Sequence, residues 1–385
     1  MTRPIWAEVS LSRLQHNFRT VKQHVGPDTE ICAVVKCDAY GHGVEECSQA
    51  LEGAGAKWLG VTSVEEGVKV RNAGIKGRVL VMTGFWQGEE EALITNDLTA
   101  TVWTADHVHA LCAAARKLGY SREAVHLKVD TGMTRLGSPI EDLPEVFAAL
   151  ESAGALDPTG TLFVEGIFSH LASAEVLDAT DALEQIERFE HVLQTAGQRG
   201  FHPYYVHMAN SAAVAGRPNT WKSIVRPGLL LYGYQLPFIA RNGKSKVPPP
   251  LSLKPVLSWK AHIISLRNVG GNQPLGYNGA YVTPAPAKIA AIPVGYGDGL
   301  SRHLSSRGQV LVRGEYAPMV GNVAMDLTLL DVTHIPNVHI GDEVVLIGEQ
   351  DGKRVTALEQ ARWAQTIPYE ILCGLSPRVP RVYVE

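Results

Sequence analysis

Along the first 225 residues, short apolar runs alternate with stretches whose apolar positions fall three and four residues apart. The runs lie at residues 31–35, 58–61, 79–82, 98–102, 125–129, 163–168, 204–207 and 223–225, and their β-branched content reads as buried parallel strands. Between them the spacing predicts helices. Leu11, Leu14, Phe18 and Val21 form one apolar face, with Ser10 as its cap, and residues 64–73, 107–118, 143–153 and 182–197 show the same period. Repeated β-α units imply a parallel sheet with right-handed crossovers, and eight of them within about 240 residues predict an α/β fold built as a closed (β/α)8 TIM-type barrel. An open doubly wound sheet is the competing architecture, but no Gly-x-Gly-x-x-Gly turn follows the first strand.

The pattern changes after Tyr234. Residues 241–250 are polar and basic, then end in three prolines, as a loop or boundary does. Beyond them come β-branched runs at 256–266, 287–294, 309–313, 319–323, 327–332 and 343–347, with a single helical stretch at 356–365 that Thr356 can cap. A barrel over residues 1–240 followed by a mostly β C-terminal domain over 241–385 is therefore expected, with the first few residues as candidates to join the β half.

Composition narrows the function classes. A net charge of -4 and the lack of a basic stripe argue against nucleic acid as a partner. The first residues lack the apolar core of a signal peptide, and no run approaches the roughly 20 residues of a membrane span, so a soluble, cytoplasmic protein with no membrane partner is expected. Five scattered cysteines without paired spacing suit free thiols in a reducing compartment and suggest no metal site.

Candidate chemistry gathers where barrel strands end, the face that carries active sites in such barrels. Lys36 follows the first strand in Val35-Lys36-Cys37-Asp38-Ala39-Tyr40-Gly41-His42-Gly43. Strand five runs into Lys128-Val129-Asp130-Thr131-Gly132-Met133-Thr134-Arg135-Leu136-Gly137, where an interior ammonium on Lys128 needs a partner. Strand six ends on Ser169-His170, strand seven on His207-Met208-Ala209-Asn210-Ser211, and Arg226-Pro227-Gly228-Leu229 comes after strand eight. Turns after the last two strands often bind phosphate through backbone N–H groups and a hydroxyl, which suits Ser211, Gly228 and Leu229. Each residue alone has a plain structural reading: Ser211 as a helix cap, His170 as a satisfied core histidine, Arg226 as an ion-pair partner. Their joint occurrence at successive strand ends favours a site.

These motifs resemble those of the alanine racemases over essentially the whole chain. The lysine segment resembles that family's pyridoxal-phosphate lysine motif, with Cys37-Asp38 where Ala-Asn is commoner. Residues 128–137 and Asn210-Ser211 match as well. In the β half, Gly276-Tyr277-Asn278-Gly279-Ala280-Tyr281, Gly295-Tyr296-Gly297-Asp298-Gly299, Met325-Asp326 and Ile367-Pro368-Tyr369-Glu370 look like family motifs. The resemblance implies pyridoxal 5'-phosphate as cofactor, held covalently by Lys36, which also acts as a base on one face of the substrate Cα. By resemblance Tyr277 is the base on the opposite face. A tyrosine phenol ionises near 10 in water, so a base of this kind needs cationic neighbours. Arg226 resembles the partner of the pyridine nitrogen, and Arg135 the ligand of the substrate carboxylate. His170 resembles the ring-packing group. Tyr40, Asn210, Ser211, Gly228, Leu229 and Tyr369 complete the cofactor-binding set, and Lys128 matches a lysine that is carbamylated in some members.

The resemblance further implies a homodimer with shared sites, in which Tyr277 and Met325 come from the partner, and racemisation of L- and D-alanine that supplies D-alanine for peptidoglycan. Asn322 and Ala324 depart from a frequent arginine and cysteine, giving a smaller and less charged rim. A broad-spectrum racemase acting on serine or basic amino acids is the near alternative. A pyridoxal-phosphate homeostasis protein and a decarboxylase of similar fold are the more distant ones.

Overall fold

The structure is a computed structural model that describes residues 3–240 and 247–385. Most of the expected boundary segment, residues 241–246, lies outside the described residues. The chain forms two compact units, one of residues 14–39, 44–240 and 247–254, the other of residues 3–13, 40–43 and 255–385.

Strand β1 (Ile5–Ser10) belongs to the second unit; the first is built on the next eight strands. These are β2 (Glu30–Val34), β3 (Trp58–Val61), β4 (Arg78–Val81), β5 (Ala100–Val102), β6 (Glu123–Lys128), β7 (Leu162–Phe168), β8 (Tyr205–His207) and β9 (Ile224–Val225). All neighbours are parallel: β4-β3-β2-β9 form one arc and β5-β6-β7-β8 the other. Two seams close the ring. Leu80 lies opposite Thr99, whose N–H donates to Val79 O at 2.8 Å, and Asn210 lies opposite Arg226, whose N–H donates to Ala209 O at 2.9 Å. The expected barrel is therefore present, with shorter strands than the apolar runs suggested, because pairing stops where the chain leaves for the rim.

Trp58, Leu59, Leu80, Leu127, Ile167 and Phe168 are buried among these strands, and each such side chain contributes about 1.5–3 kcal/mol by leaving water. Helices cover the outside. In the helix Leu11–Val25, Ser10 Oγ accepts from Arg13 N–H; Leu14, Phe18 and Val21 are buried as the spacing predicted, Leu11 of the same expected face is only half-buried, and Val25 is buried in addition. Asn17 shares that buried face and is satisfied by donating to Leu231 O and Lys254 O at 2.9 and 2.8 Å.

The second unit is mostly β. Its strands are β10 (Leu257–His262), β11 (Ser265–Val269), β14 (Ala287–Ile292), β15 (Gln309–Val312), β16 (Glu315–Val320), β17 (Thr328–Asp331), β18 (Glu343–Gln350), β19 (Lys353–Val355) and β20 (Arg381–Val384), with a separate ribbon of β12 (Pro274–Leu275) and β13 (Tyr281–Val282). The path runs β11-β14-β17-β16-β15-β18-β10-β1-β20, and β19 pairs with β18. The run expected at 256–266 splits at Ile263 and Ile264 into two strands with different partners. The run expected at 319–323 begins earlier, at Glu315, because Arg313 and Gly314 take positive φ of 51° and 73° and turn the β15–β16 hairpin. In β1, Ile5, Ala7 and Val9 are buried in alternation, and the strand pairs with both β10 and β20.

Candidate active site

Lys36 stands just beyond β2 and Val35, half-buried at the carboxyl end of the barrel. The chain then makes a left-handed helical turn: Cys37, Asp38, Ala39 and Tyr40 have φ of 54°, 53°, 52° and 55°, and Gly41 has 80°. Such a turn costs roughly 1–2 kcal/mol per non-glycine residue, so its surroundings must impose it. Ala39 N–H donates to Val35 O at 2.9 Å, Cys37 N–H to Glu66 Oε1 at 2.6 Å, and Val44 N–H to Asp38 Oδ1 at 2.9 Å. The other oxygen of Glu66 accepts from Thr62 N–H at 2.8 Å, so one carboxylate ties the turn to the loop after β3. Gly41 has no substitute, since a Cβ there would lie 2.2 Å from Leu372 O.

Around the same rim stand Lys128, Arg135, His170 and Arg226. Lys128 ends β6 at 6% exposure, donates to Met82 O at 3.1 Å and lies 5.4 Å above the Phe168 ring. Burial, then Arg226, Arg135 and Lys36, pull its pKa down to about 7. Arg135 projects from the loop 130–138, which is closed by Asp130 N–H on Ser138 O and Ser138 N–H on Lys128 O, both 2.9 Å. Asp130 is consumed in shaping that loop: its Oδ1 accepts from the N–H groups of Gly132, Met133 and Thr134. The rim is left with a strong excess of positive charge.

Arg226 is 4% exposed and gripped from several sides. Nη2 donates to Ser169 O at 2.8 Å and to His170 Nδ1 at 3.3 Å, and Nη1 donates to His207 Nδ1 at 2.6 Å. Its guanidinium lies 5.1 Å over Phe168, and burial lowers its pKa to about 10, which still leaves it charged at neutral pH. Burial, then Arg226, hold His170 and His207 well below the ordinary histidine range, so both are neutral. Counting donors fixes a chain of tautomers. Arginine only donates, so His207 accepts at Nδ1 and carries its proton on Nε2, 2.8 Å from His126 Nδ1. His126 then carries its proton on Nε2, which faces Glu165 Oε2 at 3.5 Å, and Glu165 is held by Arg78 at 2.5 Å. The sequence pattern pointed to His170 and Arg226. It missed His126, Glu165 and Glu66, because a polar residue inside an apolar strand run or in the first turn of a helix gives no period of its own.

Ser211 opens the short helix Ser211–Gly216, and its Oγ accepts from Gly228 N–H at 2.8 Å, so hydroxyl and glycine turn lie together with buried Leu229 next in sequence. Asn210 caps that helix by accepting from Ala213 N–H at 3.1 Å and touches His170 Nε2 at 3.4 Å. The structure thus brings together Arg226, His170, Asn210, Ser211 and Gly228. In the β unit, the Tyr40 and Tyr369 rings lie 6.0 Å apart. Tyr277 sits in the turn between β12 and β13 and is 73% exposed; Met325 is 52% exposed. Among the described residues no group of three or more histidine, cysteine, aspartate or glutamate side chains is placed to hold a metal, and no helix is long and apolar enough to cross a membrane.

A lysine-centred, cation-rich barrel mouth in a chain that continues into a mostly β unit fits the class of barrel-type amino-acid racemases. Residues 9–236 match the profile of the alanine racemase N-terminal domain and residues 256–383 that of the alanine racemase C-terminal domain. An alanine racemase of Geobacter sulfurreducens is 42% identical over 387 aligned residues, covering all of this chain and 98% of the relative. Among solved structures, the alanine racemase of a D-cycloserine-producing Streptomyces lavendulae superposes with a TM-score of 0.90 at 33% identity, over all of this chain and 97% of that one. The Bartonella henselae alanine racemase, solved with covalently bound pyridoxal phosphate, gives 0.83 at 28% identity, over 99% of each chain. The chain belongs to the alanine racemase family.

Proposed function

We propose that this protein racemises alanine, with pyridoxal 5'-phosphate as cofactor, Lys36 and Tyr277 as opposing bases, and D-alanine for peptidoglycan as its product in the cytoplasm. The observation that carries the reading is the rim itself: Lys36, Lys128, Arg135 and Arg226 surround His170, with the one acid of the loop, Asp130, already engaged. That donor set fits a phosphorylated aldehyde that a lysine can hold and whose substrate is a carboxylate. The covalently held cofactor of the Bartonella relative supports the same assignment.

In this reading Ser211, Gly228 and Leu229 would hold the phosphate, and His170 and Asn210 would pack and orient the ring. When bound, the cofactor supplies a conjugated system that spreads the charge left on Cα after proton removal. Arg226 would meet the ring nitrogen as a donor that keeps its own proton. Such a partner would leave that nitrogen unprotonated and limit side reactions that need a stronger electron sink. Arg135 and Met325 position the substrate carboxylate, and Lys36 and Tyr277 each hold or receive a proton at Cα from opposite faces. Lys128, with its pKa lowered to about 7, is about half neutral at pH 7 and in that form is a nucleophile for dissolved carbon dioxide: its nitrogen bonds to the carbon as one C–O π pair moves onto oxygen, and the nitrogen releases a proton to water, leaving a carbamate anion that would pair with Arg135. We read the assembly as a homodimer in which Tyr277 and Met325 serve the partner's barrel. The exposure of both side chains supports this.

Lys36→Ala is expected to abolish both alanine racemisation and the visible absorbance of lysine-held pyridoxal phosphate. Full retention of that absorbance would contradict the assignment. A panel of alanine, serine, lysine and arginine tests the substrate; turnover of the basic amino acids comparable to that of alanine would overturn the alanine reading.

A further inference from the structure

Tyr277 stands in a turn that its own backbone holds weakly. Gly276 and Asn278 on either side have φ of 69° and 61°, and within the turn Ala280 N–H reaches Tyr277 O only at 3.4 Å. A stronger hydrogen bond arrives from another segment: Asn322 Nδ2 donates to Tyr277 O at 3.2 Å. Asn322 is itself fixed on both sides. Before it, Gly321 N–H donates to Ser306 Oγ at 3.1 Å; after it, Val323 N–H donates to Ser305 Oγ at 3.0 Å. Ser305 Oγ in turn donates to Arg302 O at 2.6 Å. Below the turn, Leu275 is plugged into a core cluster with Ala287, Ile289 and Val320, the last of these two residues before Asn322.

We infer that Asn322 is a positioning residue for Tyr277: its side-chain amide, carried on a backbone that the Ser305–Ser306 corner holds on either side, sets the backbone of the β12–β13 turn and with it the placement of the phenol. The inference rests on the reading of Tyr277 as one of the two bases.

The test compares Asn322→Ala and Asn322→Asp with Tyr277→Phe in the cofactor-loaded protein. Three readouts are taken: wash-in of solvent deuterium at Cα starting from each enantiomer of alanine, amide hydrogen exchange across Gly276–Ala280, and the thermal midpoint. Asn322→Asp keeps the shape and removes the donor. Both Asn322 variants are expected to slow wash-in from one enantiomer roughly three- to tenfold, the loss of one hydrogen bond's worth of positioning. It should be the same enantiomer that Tyr277→Phe affects, with faster exchange of the turn amides and an unchanged midpoint. Equal slowing of both enantiomers, or no slowing with unchanged amide exchange, while Tyr277→Phe keeps its asymmetry, overturns the role of Asn322 alone. Symmetric loss in Tyr277→Phe overturns the base assignment and this inference with it.

Discussion

A lysine amine that is 6% exposed, with Arg226, Arg135 and Lys36 as its charged neighbours, is poorly tolerated in its protonated form. The pKa of Lys128 falls from 10.5 to about 7, so between those values the unfolded chain binds a proton that the folded chain does not. The burial penalty is therefore full below pH 7 and is relieved as pH rises toward the ordinary lysine value. In cofactor-free protein and bicarbonate-free buffer, Lys128→Met should stabilise the fold by roughly 2–4 kcal/mol at pH 6 and by little above pH 9.5. Urea melts at the two pH values check this. A constant difference between variants across that range would contradict it. Adding 13C-bicarbonate to the wild type should give a carbamate carbon signal that Lys128→Met lacks. Arg226 offers a second residue-scale prediction. Glu165→Gln lets an amide donate to His126 Nε2, which would flip both tautomers and leave His207 Nδ1 as a second donor facing Arg226. Imidazole 15N shifts should then report a mixture of tautomers, against a single tautomer for each ring in the wild type.

At the scale of elements, the turn after β2 determines where Lys36 points. Four consecutive non-glycine residues in the left-handed region persist because Glu66, Val35 O and the buried Ala39 and Tyr40 over-determine them. Glu66→Ala removes the acceptor of Cys37 N–H and Thr62 N–H together, and should cost about 1–3 kcal/mol while weakening cofactor binding in a spectroscopic titration. Unaltered affinity would mean that the turn holds itself. This element also marks what the sequence could and could not reveal. The strand before Lys36 was legible because Ile31 to Val35 are all apolar and three of the five are β-branched, and the barrel was legible because eight such runs recur. The left-handed turn was not, since Cys37-Asp38-Ala39-Tyr40 carries no glycine until its end. Strand β1 was not read as a strand, although the first few residues were expected as candidates to join the β half, for a related reason. Its alternation is only six residues long, and its partners β10 and β20 lie far along the chain, at Leu257–His262 and Arg381–Val384. Motif resemblance supplied Tyr277 and Met325, whose exposed positions on a β surface give no hydrophobic signal.

For the whole molecule, the proposed function predicts that activity requires two copies. If Tyr277 is a base, a phenol 73% exposed on one chain needs another surface to cover it before it can work in a water-excluded site, and a closed pair with two-fold symmetry would give each barrel the other's Tyr277. Mixing two inactive proteins tests this most directly. In a dimer of one Lys36→Ala chain and one Tyr277→Phe chain, one site loses both bases and the other keeps both. Each variant alone should be nearly inactive, and refolding them together at equal amounts should restore roughly a quarter of wild-type alanine racemisation, the share expected from random pairing. No recovery, in mixtures shown by mass spectrometry to contain the mixed dimer, would contradict the claim that a lysine from one protomer and a tyrosine from its partner act on the two faces of the same Cα.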